Sequence, residues 1–562
     1  MENWVVAAKR ADFDQIARDF SIDPVLARVI RNRDVIGNDA IAEYLHGSRE
    51  HMHSPWLFKD MEQAVAIIMN KIEKKEPLRI IGDYDIDGIM SAYILEQGLR
   101  YAGADVDVMI PHRITDGYGL NEHLIRQAYE DGKNTILTCD NGITAFEQIQ
   151  EAKKLGMTVI VTDHHEILEG RIPEADAVVN HKQPDCGYPF KGLCGAGVAW
   201  KLICALYEKM GIPQSESDKY LEYAAFATIG DVMDLVEENR ILVKEGMKLL
   251  QNTGNFGLRE LMRANNLEPK ELNAYHIGFV LGPCLNASGR LDTALRALEL
   301  LRTDNAADAA RLAGDLKNLN DSRKELTRLG VEAALKQVEN ADWKEDKIYV
   351  IYLPECHESL AGIIAGRIRE AYHHPVFVLT KGEEGVKGSG RSIEAYSMFD
   401  GMAACQECFT HFGGHKMAAG LSMKEENIEV FRKKINDNCT LTEKDFIPKI
   451  TIDVPMPVSY VSKELIGQLE LLEPFGKGNT KPVFAQKNIR ALSYRIVGKN
   501  KNVLTMRMSD EAGNVANGIC FQNIEKLQEL ILSDQPFSIT YYPALNTFNG
   551  RENIQIVISH YK

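Results

Sequence analysis

The sequence predicts an α/β protein of several domains, in which a parallel-sheet domain and a smaller α/β domain are joined by a long helix and followed by a C-terminal β-barrel. Three observations lead to this fold class. Between 78 and 182, short apolar runs alternate with amphipathic stretches, which is typical of β–α–β units and a parallel sheet. The pattern of 305–341 is that of a long charged helix or helix pair. After about 447, strand-like runs separated by turn residues indicate a small barrel.

The composition is that of a globular protein and excludes disordered, collagen and coiled-coil classes. The chain has 562 residues, of which 45% are hydrophobic and 26% are charged. At about 150 residues per domain, this length predicts three or four domains.

The net charge limits the partners. It is −15, from 65 Lys and Arg against 80 Asp and Glu, so a nucleic acid would have to meet a local basic surface. Residues 481–562 could provide such a surface, since this segment contains ten Lys and Arg but only six Asp and Glu. No apolar run reaches the roughly 18 residues of a membrane span. We therefore expect a cytoplasmic protein with no membrane partner.

The ten cysteines are scattered and predict reduced thiols rather than a disulfide framework. Cys405 and Cys408 form a CxxC pair, and His411 and His415 follow closely. A zinc site therefore stays open as an alternative for this segment.

We expect five segments along the chain. They are an N-terminal helical segment packing on the parallel-sheet domain (1–75), the parallel-sheet domain (76–240), a helical region with the long interdomain helix (241–343), the smaller α/β domain (344–446) and the barrel (447–562).

Acidic side chains follow the first apolar runs of the predicted sheet. Asp83, Asp85 and Asp87 occupy every second position of GDYDIDG, so in an extended segment their side chains point the same way. Asp140 follows the next run. The carboxyl ends of parallel strands meet at one edge of the sheet. Like charges gathered there are costly unless cations neutralise them, so we predict a divalent metal site.

The third run adds imidazoles, because it ends in Asp163, His164 and His165. Carboxylates with one or two imidazoles and no thiolate favour Mn²⁺ or Mg²⁺ over structural zinc. A further acid is available at Asp231, and a shared Asp140 would give a two-metal centre suited to phosphoryl chemistry. Asp163 could orient His164 by a hydrogen bond instead of binding the metal itself. Ordinary turn residues would explain any one of these motifs, but three in succession favour the metal.

Eight motifs resemble, in order along the chain, those of the DHH phosphoesterase superfamily and, within it, of the bacterial RecJ exonucleases. The resemblance covers the chain from about 50 to the end and rests on GDYDIDG, CDNG, TDHHE, GDVMDL with ENR, PCLNASGR, GSGRS, FGGHKMAAG and LEPFGKGN. It implies a DHH domain, a DHH-associated domain and an OB-fold-like barrel. It also implies 5′→3′ hydrolysis of single-stranded DNA to 5′-mononucleotides in DNA repair and recombination.

The resemblance further implies roles for individual residues. One Mn²⁺ or Mg²⁺ ion would be bound by Asp87, Asp140, His164 and Asp231, and the other by Asp83, Asp85 and the shared Asp140. His165 would lie beside the scissile phosphate and stabilise its developing charge. The 5′ end would be held by Arg113, Ser389 and Arg391, and the backbone or scissile group by Arg290 and His415.

Two positions depart from the pattern of the resembled family. Cys284 stands where we expect a basic residue, and Asp234 stands where an apolar residue or proline is more usual. These departures affect predicted DNA contacts, not the metal centre.

The predicted partner is single-stranded DNA, with a single-strand-binding protein and a RecQ-type helicase as further candidates. In the barrel we favour the basic Lys499, Lys501 and Arg551 as strand contacts. Most of the barrel's aromatic residues should be core, and those considered for stacking are Tyr494, Phe521, Tyr541, Tyr542 and Phe548.

Two alternative functions remain at this point. One is a DHH phosphodiesterase of short RNA or cyclic dinucleotides, which the added barrel and the NASGR segment disfavour. The other is an inactive replication scaffold, which the complete set of predicted metal ligands disfavours.

Overall fold

The structure, a computed structural model, describes residues 2–113, 116–117, 119–340, 343, 346–382, 385–548 and 551–562. The side chains of Phe548 and Arg551 lie outside the described part, and the predictions made for them lie there too.

The N-terminal segment begins with a short strand followed by helices. Asp12 and Asp23 cap the first two helices, because each carboxylate accepts a hydrogen bond from a backbone N–H of the first turn. The elements are β1 (Asn3–Val6), α1 (Phe13–Phe20), α2 (Pro24–Asn32), α3 (Asn38–His46) and α4 (Met61–Lys74).

Helices α2 and α3 pack on the C-terminal barrel, which corrects the prediction that the segment 1–75 packs on the parallel-sheet domain. Leu26 and Leu45 share one apolar core with the barrel. Arg33 donates two hydrogen bonds to the buried carboxylate of Asp453, which is 420 residues away. Helix α4 instead joins the core of the parallel-sheet domain. Helical periodicity shows which face of a helix is apolar, but not which distant surface covers it.

The parallel-sheet domain comprises β2 (Leu78–Ile81), α5 (Ile86–Tyr101), β3 (Val106–Met109), α6 (Glu122–Glu130), β4 (Thr135–Cys139), α7 (Phe146–Lys154), β5 (Thr158–Thr162) and β6 (Ala177–Val179). The strands are parallel in the order β3-β2-β4-β5-β6. β2 and β4 are buried along their whole length, as expected where both faces of a sheet are covered. The carboxyl ends of β2, β4 and β5 are therefore neighbours at one edge.

A helical region follows, and it includes a π-helical turn at Ile277–Leu281. Its α-helices are α8 (Gly195–Met210), α9 (Gln214–Asp218), α10 (Leu221–Gly230), α11 (Glu237–Leu250), α12 (Phe256–Ala264), α13 (Ala274–His276), α14 (Gly282–Leu291), α15 (Leu295–Arg302) and α16 (Ala306–Asn340). The 35 residues of α16 span about 50 Å at 1.5 Å per residue. This is the predicted long interdomain helix.

The smaller α/β domain comprises β7 (Tyr349–Tyr352), α17 (Ala361–Tyr372), β8 (Val376–Gly382), β9 (Gly385–Arg391), α18 (Met398–Ala403), β10 (His411–Gly414), β11 (Ala418–Met423) and α19 (Ile428–Asp437). Its sheet has the order β10-β11-β9-β8-β7. Strands β9 and β11 are paired with Ser389 opposite Gly420, which puts two glycine-rich motifs side by side.

The C-terminal unit comprises β12 (Lys449–Ile452), β13 (Val454–Pro455), α20 (Lys463–Leu469), β14 (Phe484–Val497), β15 (Val503–Ser509), β16 (Val515–Cys520), α21 (Ile524–Leu532), β17 (Phe537–Phe548) and β18 (Arg551–Tyr561). The strand order is β13-β14-β15-β16-β18-β17, and a further pairing of β14 with β17 closes the barrel. This arrangement confirms the predicted fold class. None of the described helices has both the length and the apolar composition for crossing a membrane.

Replacing Arg33 by alanine should destabilise the junction of α2 with the barrel. The Asp453 side chain is 4% exposed and would lose its cation, and breaking a buried pair costs about 3 kcal/mol or more. Hydrogen exchange of the backbone amides of β12, β13 and β14 should show this loss as faster opening.

The control for this change is Arg31→Ala on the same helix. Arg31 pairs with Asp34, whose side chain is 72% exposed, and exposed ion pairs contribute little to stability. Equal exchange rates in the two variants would contradict the role given to Arg33.

Candidate active site

The first acidic motif is a strand–turn–helix. β2 ends at Ile81, Asp83 lies in the turn, and Asp85 caps α5 by accepting hydrogen bonds from the N–H groups of Asp87 and Gly88 at 3.0 and 3.1 Å. The three carboxylates thus converge through a helix start, not through the extended alternation that we expected. The reason is that Asp85 favours a helix N-terminus, which turns Asp87 back over the end of the sheet.

Asp140 lies in a tight turn directly after β4. Its backbone has φ +61°, in the left-handed region. Two residues later, Gly142 has φ +109°, and a Cβ there would lie 2.6 Å from Thr138 Oγ1. Asn141 donates hydrogen bonds to the carbonyl oxygens of Ile81 and Cys139 at 3.0 and 2.9 Å, and so ties the turn to the end of β2. The turn therefore holds the Asp140 carboxylate beside the first acidic motif.

The third motif uses Asp163 as an anchor. Its carboxylate accepts hydrogen bonds from the backbone N–H groups of Ile143, His164 and His165. The Nδ1 of His165 lies 2.8 Å from Asp163 Oδ1. Asp163 thus orients the ring of His165, where we expected the ring of His164, because the backbone turns the second histidine back over the carboxylate.

The Nε2 atom of His164 is the point at which the motifs meet. It lies 3.1 Å from Asp140 Oδ1, 3.5 Å from Asp87 Oδ2 and 4.0 Å from Asp231 Oδ2. Asp231 reaches this place as the residue that ends α10. The structure therefore brings together residues from four separate parts of the sequence.

Sequence reasoning missed the backbone groups that hold Asp87. The N–H groups of Gly195 and Ala196, at the start of α8, donate to its two carboxylate oxygens at 2.6 and 2.7 Å. A Cβ at Gly195 would lie 2.7 Å from Asp140 Cβ, so the close approach requires glycine. The available signal was the GAG sequence at the beginning of a long apolar helix.

Crowding and burial perturb the carboxyl groups. Burial, together with the charge of Asp85, raises the pKa of Asp83 to about 8. Burial and the charges of Asp87 and Asp85 raise the pKa of Asp231 to about 8. The pKa of Asp140 is raised well above its usual range, first by burial and then by the charge of Asp87. The carboxylates of the site are therefore not fully balanced by its cationic side chains.

The two histidines are shifted in opposite directions. Burial lowers the pKa of His164, which leaves its ring neutral and able to bind a metal ion. Burial also acts to lower the pKa of His165, but the hydrogen bond to Asp163 and the charge of that carboxylate raise it to about 9. His165 is therefore an imidazolium at neutral pH.

The donor set fits divalent metal ions. In the described part of the chain, the buried Asp83 Oδ1 has no hydrogen-bond partner. Carboxylate oxygens with an imidazole nitrogen suit Mn²⁺ or Mg²⁺. Three groups place ligand atoms within 4.8 Å of one another: Asp83, Asp85 and Asp140; Asp87, His164 and Asp231; and Asp140, His164 and His165. Asp140 occurs in two of them, which fits a carboxylate shared between two ions.

A cavity of about 460 Å³ is lined by the predicted Arg113, Arg290, Ser389 and Arg391. The charge of Arg113 acts on Asp83, so this end of the cavity lies near the acidic cluster. Helix α14, which carries Arg290, approaches the first acidic motif closely at Gly289, where a Cβ would lie 2.3 Å from the Tyr84 carbonyl oxygen.

The helical region and the smaller α/β domain are joined at this cavity. The Arg290 guanidinium donates a hydrogen bond to the Ser359 carbonyl oxygen at 2.8 Å. Burial lowers the pKa of Arg290 to about 10, so it stays charged at neutral pH.

Other predicted residues fall elsewhere. His415 is exposed and does not line the cavity, because the turn after β10 carries it outward. Cys284 is buried and faces Asn320 of α16, so it contributes packing. Cys405 and Cys408 are buried, and among the described residues no metal-ligand group forms there.

Comparisons with known proteins define the class. Family models match the chain at 77–228 (DHH family, N-terminal domain), 345–440 (DHHA1 domain) and 452–560 (RecJ OB domain). The fold and the site together are those of a DHH phosphoesterase with a DHH-associated domain and an OB-type barrel.

The chain is 34% identical over 557 residues to the single-stranded-DNA-specific exonuclease RecJ of Bacillus subtilis, covering 98% of this chain and 70% of the relative. It is 31% identical over 579 residues to RecJ of Escherichia coli, covering 99% of each. The crystal structure of Thermus thermophilus RecJ with Mn²⁺ matches with a TM-score of 0.86 at 28% identity, covering 100% of this chain and 79% of that one. The chain belongs to the RecJ family.

Metal-free protein should become less stable to heat as the pH rises from about 5 to about 8. In the folded state Asp83 and Asp231 keep their protons up to a pKa of about 8, whereas an unfolded aspartate has a pKa of about 3.9. Folding therefore takes up protons in this range, and the folded state is favoured most at low pH. A bound metal ion replaces these protons, so Mn²⁺ should raise the melting temperature most near pH 8.

Calorimetry with EDTA or Mn²⁺ at several pH values measures this effect. Asp231→Asn is the matched control, because it removes one of the titrating groups and should flatten the pH dependence in EDTA. A melting temperature that rises with pH in EDTA-treated wild type would contradict the charge assignment.

Proposed function

We propose that the chain is a metal-dependent exonuclease that hydrolyses single-stranded DNA from the 5′ end to 5′-mononucleotides, in DNA repair and recombination. Its relatives are named single-stranded-DNA-specific exonucleases, and crystal structures of the Thermus relative contain Mn²⁺ or Mg²⁺. The observation that carries the proposal is that two arginines of the cavity, Arg113 and Arg290, lie close enough to Asp83 and Asp85 of the acidic cluster to interact with them electrostatically. An anion-binding cavity beside a cluster that can hold divalent cations fits a terminal phosphate and the neighbouring phosphodiester.

We propose the metal ligands that the resemblance implies, and the proximity of Asp87, His164 and Asp231 and that of Asp83, Asp85 and Asp140 support them. They are Asp87, Asp140, His164 and Asp231 for one ion, and Asp83, Asp85 and Asp140 for the other. When bound, a pair of such ions activates water and stabilises negative charge on phosphoryl oxygens.

His165 would act directly on the scissile phosphate. Its side chain is 44% exposed, whereas that of His164 is 9% exposed, so it is the imidazole that a substrate can reach. Asp163 keeps the ring charged and oriented. A fixed imidazolium stabilises charge that develops on the phosphoryl oxygens during hydrolysis.

The preference for the 5′ end of the strand would come from the arginine-lined cavity. Its arginines can hold a terminal phosphate through paired hydrogen bonds, and internal phosphodiesters carry less charge. The Arg113 charge opposes the burial that raises the pKa of Asp83, which places the arginine end beside the acidic cluster. A strand held by its 5′ phosphate would present its next phosphate to the carboxylates, and the product would be a 5′-mononucleotide.

The barrel would guide the strand beyond the site. A cavity of about 370 Å³ on its surface is lined by Tyr494, Arg495 and Arg507 among others. An aromatic ring between cations is typical of single-strand binding. Tyr541 is buried, as expected for a core residue. Lys499 and Lys501 are exposed between β14 and β15 and stay candidate contacts.

The wider role remains an inference from resemblance. We infer that the protein acts in the cytoplasm on single-stranded DNA, with a single-strand-binding protein and a RecQ-type helicase as candidate partners. Pull-down with each purified partner tests the last point.

One time course tests the function. Single- and double-stranded substrates, labelled at either end, are incubated with Mn²⁺, Mg²⁺ or EDTA. We expect mononucleotide release from the 5′ end of the single strand with a metal ion present. Preferential cleavage of a cyclic dinucleotide would favour the phosphodiesterase alternative, and strand binding without turnover would favour the scaffold.

Asp140→Ala should reduce turnover by about a thousandfold or more, because a bridging ligand supports both ions. Strand binding should be retained, since the arginine cavity and the barrel are unchanged. Exonuclease assays and binding of labelled strand in EDTA measure the two effects. Near-normal turnover would rule out the bridging role.

Arg391→Ala should chiefly remove the preference for a 5′-phosphate over a 5′-hydroxyl. The loss should be about tenfold or more, as expected for a charged hydrogen-bond donor. Arg367→Ala is the matched control, because Arg367 is exposed on α17 and pairs with Glu370. An unchanged preference in Arg391→Ala would refute the pocket.

A further inference from the structure

The segment 472–479, with the sequence LEPFGKGN, has no role in the function proposed above. It is nevertheless held in one shape by Asn479, whose buried amide donates hydrogen bonds to the carbonyl oxygens of Leu472 and Pro474 at 2.8 and 2.9 Å. The Tyr44 hydroxyl of α3 donates to Asn479 Oδ1 at 2.8 Å. Such a fully bonded turn can present a side chain in a fixed place.

Two glycines let this turn lie against the residues that follow Asp231. A Cβ at Gly476 would lie 2.6 Å from the Leu235 side chain, and Gly478 has φ +75°. The Leu235 N–H donates a hydrogen bond to the Lys477 carbonyl oxygen at 2.8 Å. The backbone therefore places Lys477 next to the segment that follows Asp231.

The Lys477 ammonium is exposed and lies near Asp231 of the acidic cluster. Its Nζ is 3.3 Å from Asp234 Oδ1, and the two side chains are 59% and 52% exposed. Burial and neighbouring carboxylates raise the pKa of Asp231, and the charge of Lys477 opposes them. Because exposed ion pairs are weak, the ammonium can leave Asp234 for a phosphate at small cost.

Cationic groups thus lie near two different members of the acidic cluster. Arg113 and its cavity lie near Asp83, and Lys477 lies near Asp231. A strand with its 5′ phosphate in the cavity and its scissile phosphate over the carboxylates could continue past Asp231. Its next phosphate would then lie within reach of Lys477.

We propose that Lys477 binds the phosphate on the 3′ side of the scissile bond, and that Asp234 weakens this contact by competing for the same ammonium. The inference rests on the proposed function. It also gives a consequence to Asp234: the acid would limit how tightly the protein binds the strand that remains after each cut.

The experiment compares a 5′-phosphorylated dinucleotide with a 5′-phosphorylated trinucleotide of thymidine. The trinucleotide has one phosphate on the 3′ side of the first scissile bond, and the dinucleotide has none. The ratio of kcat/KM for release of the first nucleotide, trinucleotide over dinucleotide, measures that phosphate contact. Lys477→Met should lower this ratio about five- to tenfold, and Asp234→Asn should raise it about twofold.

Two further variants make the result specific. Lys477→Arg keeps the charge and should retain most of the wild-type ratio, which a loss of folding would not allow. Lys219→Ala is the matched control. Lys219 is 65% exposed, is paired with Glu216, and belongs neither to the acidic cluster nor to the arginine-lined cavity. It should leave the ratio unchanged.

The outcomes separate the two proposals. Wild-type cleavage of both substrates with an unchanged ratio in Lys477→Met overturns the role of Lys477 alone, as does a lower ratio in Asp234→Asn. Absence of cleavage of either substrate by the wild-type protein, with Mn²⁺ and Mg²⁺ tried in turn, overturns the proposed function and this inference with it.

Discussion

The concentration of negative charge at the carboxyl ends of three parallel strands is the constraint on which the rest of this structure depends. Asp83, Asp87 and Asp140 are at most 2% exposed, and His164 is 7% exposed. Carboxylates buried together repel one another and lose hydration, so the folded chain must hold them by other contacts until cations balance them. The raised pKa values of the carboxyl groups are the direct expression of that cost.

Hydrogen bonds from backbone N–H groups stabilise several of these carboxylates. Asp87 accepts two hydrogen bonds from the start of α8, and Asp85 accepts two within the start of α5. Asp163 accepts hydrogen bonds from three backbone N–H groups. A helix N-terminus offers partial positive charge at a fixed position. It stabilises a carboxylate without adding a lysine or arginine, whose full charge would compete with a metal ion for the same oxygens.

The sequence predicted those features that depend on local pattern. Acids after apolar runs, such as Asp140, predicted the edge of the sheet at which they meet, and the fold class and family are confirmed. The roles of single residues, His165 among them, stay predictions. The pattern could not show the amides of Gly195 or the packing of α2 on the barrel, because these contacts join segments about a hundred or more residues apart. It also misjudged Asp85, since the preference of aspartate for a helix cap outweighed the extended alternation.

The segment that carries Asp231 shows how far such distant contacts reach. Asn239 donates to the carbonyl oxygen of Asp234 at 3.1 Å, and the adjacent Arg240 is buried and donates to the carbonyl oxygens of Tyr44 and Leu472 at 2.8 and 2.9 Å. Two neighbours in α11 therefore fix the segment after Asp231, the N-terminal helices and the turn before β14. Unpaired, the buried guanidinium would be strongly destabilising, so these three parts of the chain must assemble together. The geometry of the acidic cluster consequently depends on distant segments, because Asp231 precedes a stretch of chain that is bonded through Asn239 and Arg240 to the regions around Tyr44 and Leu472.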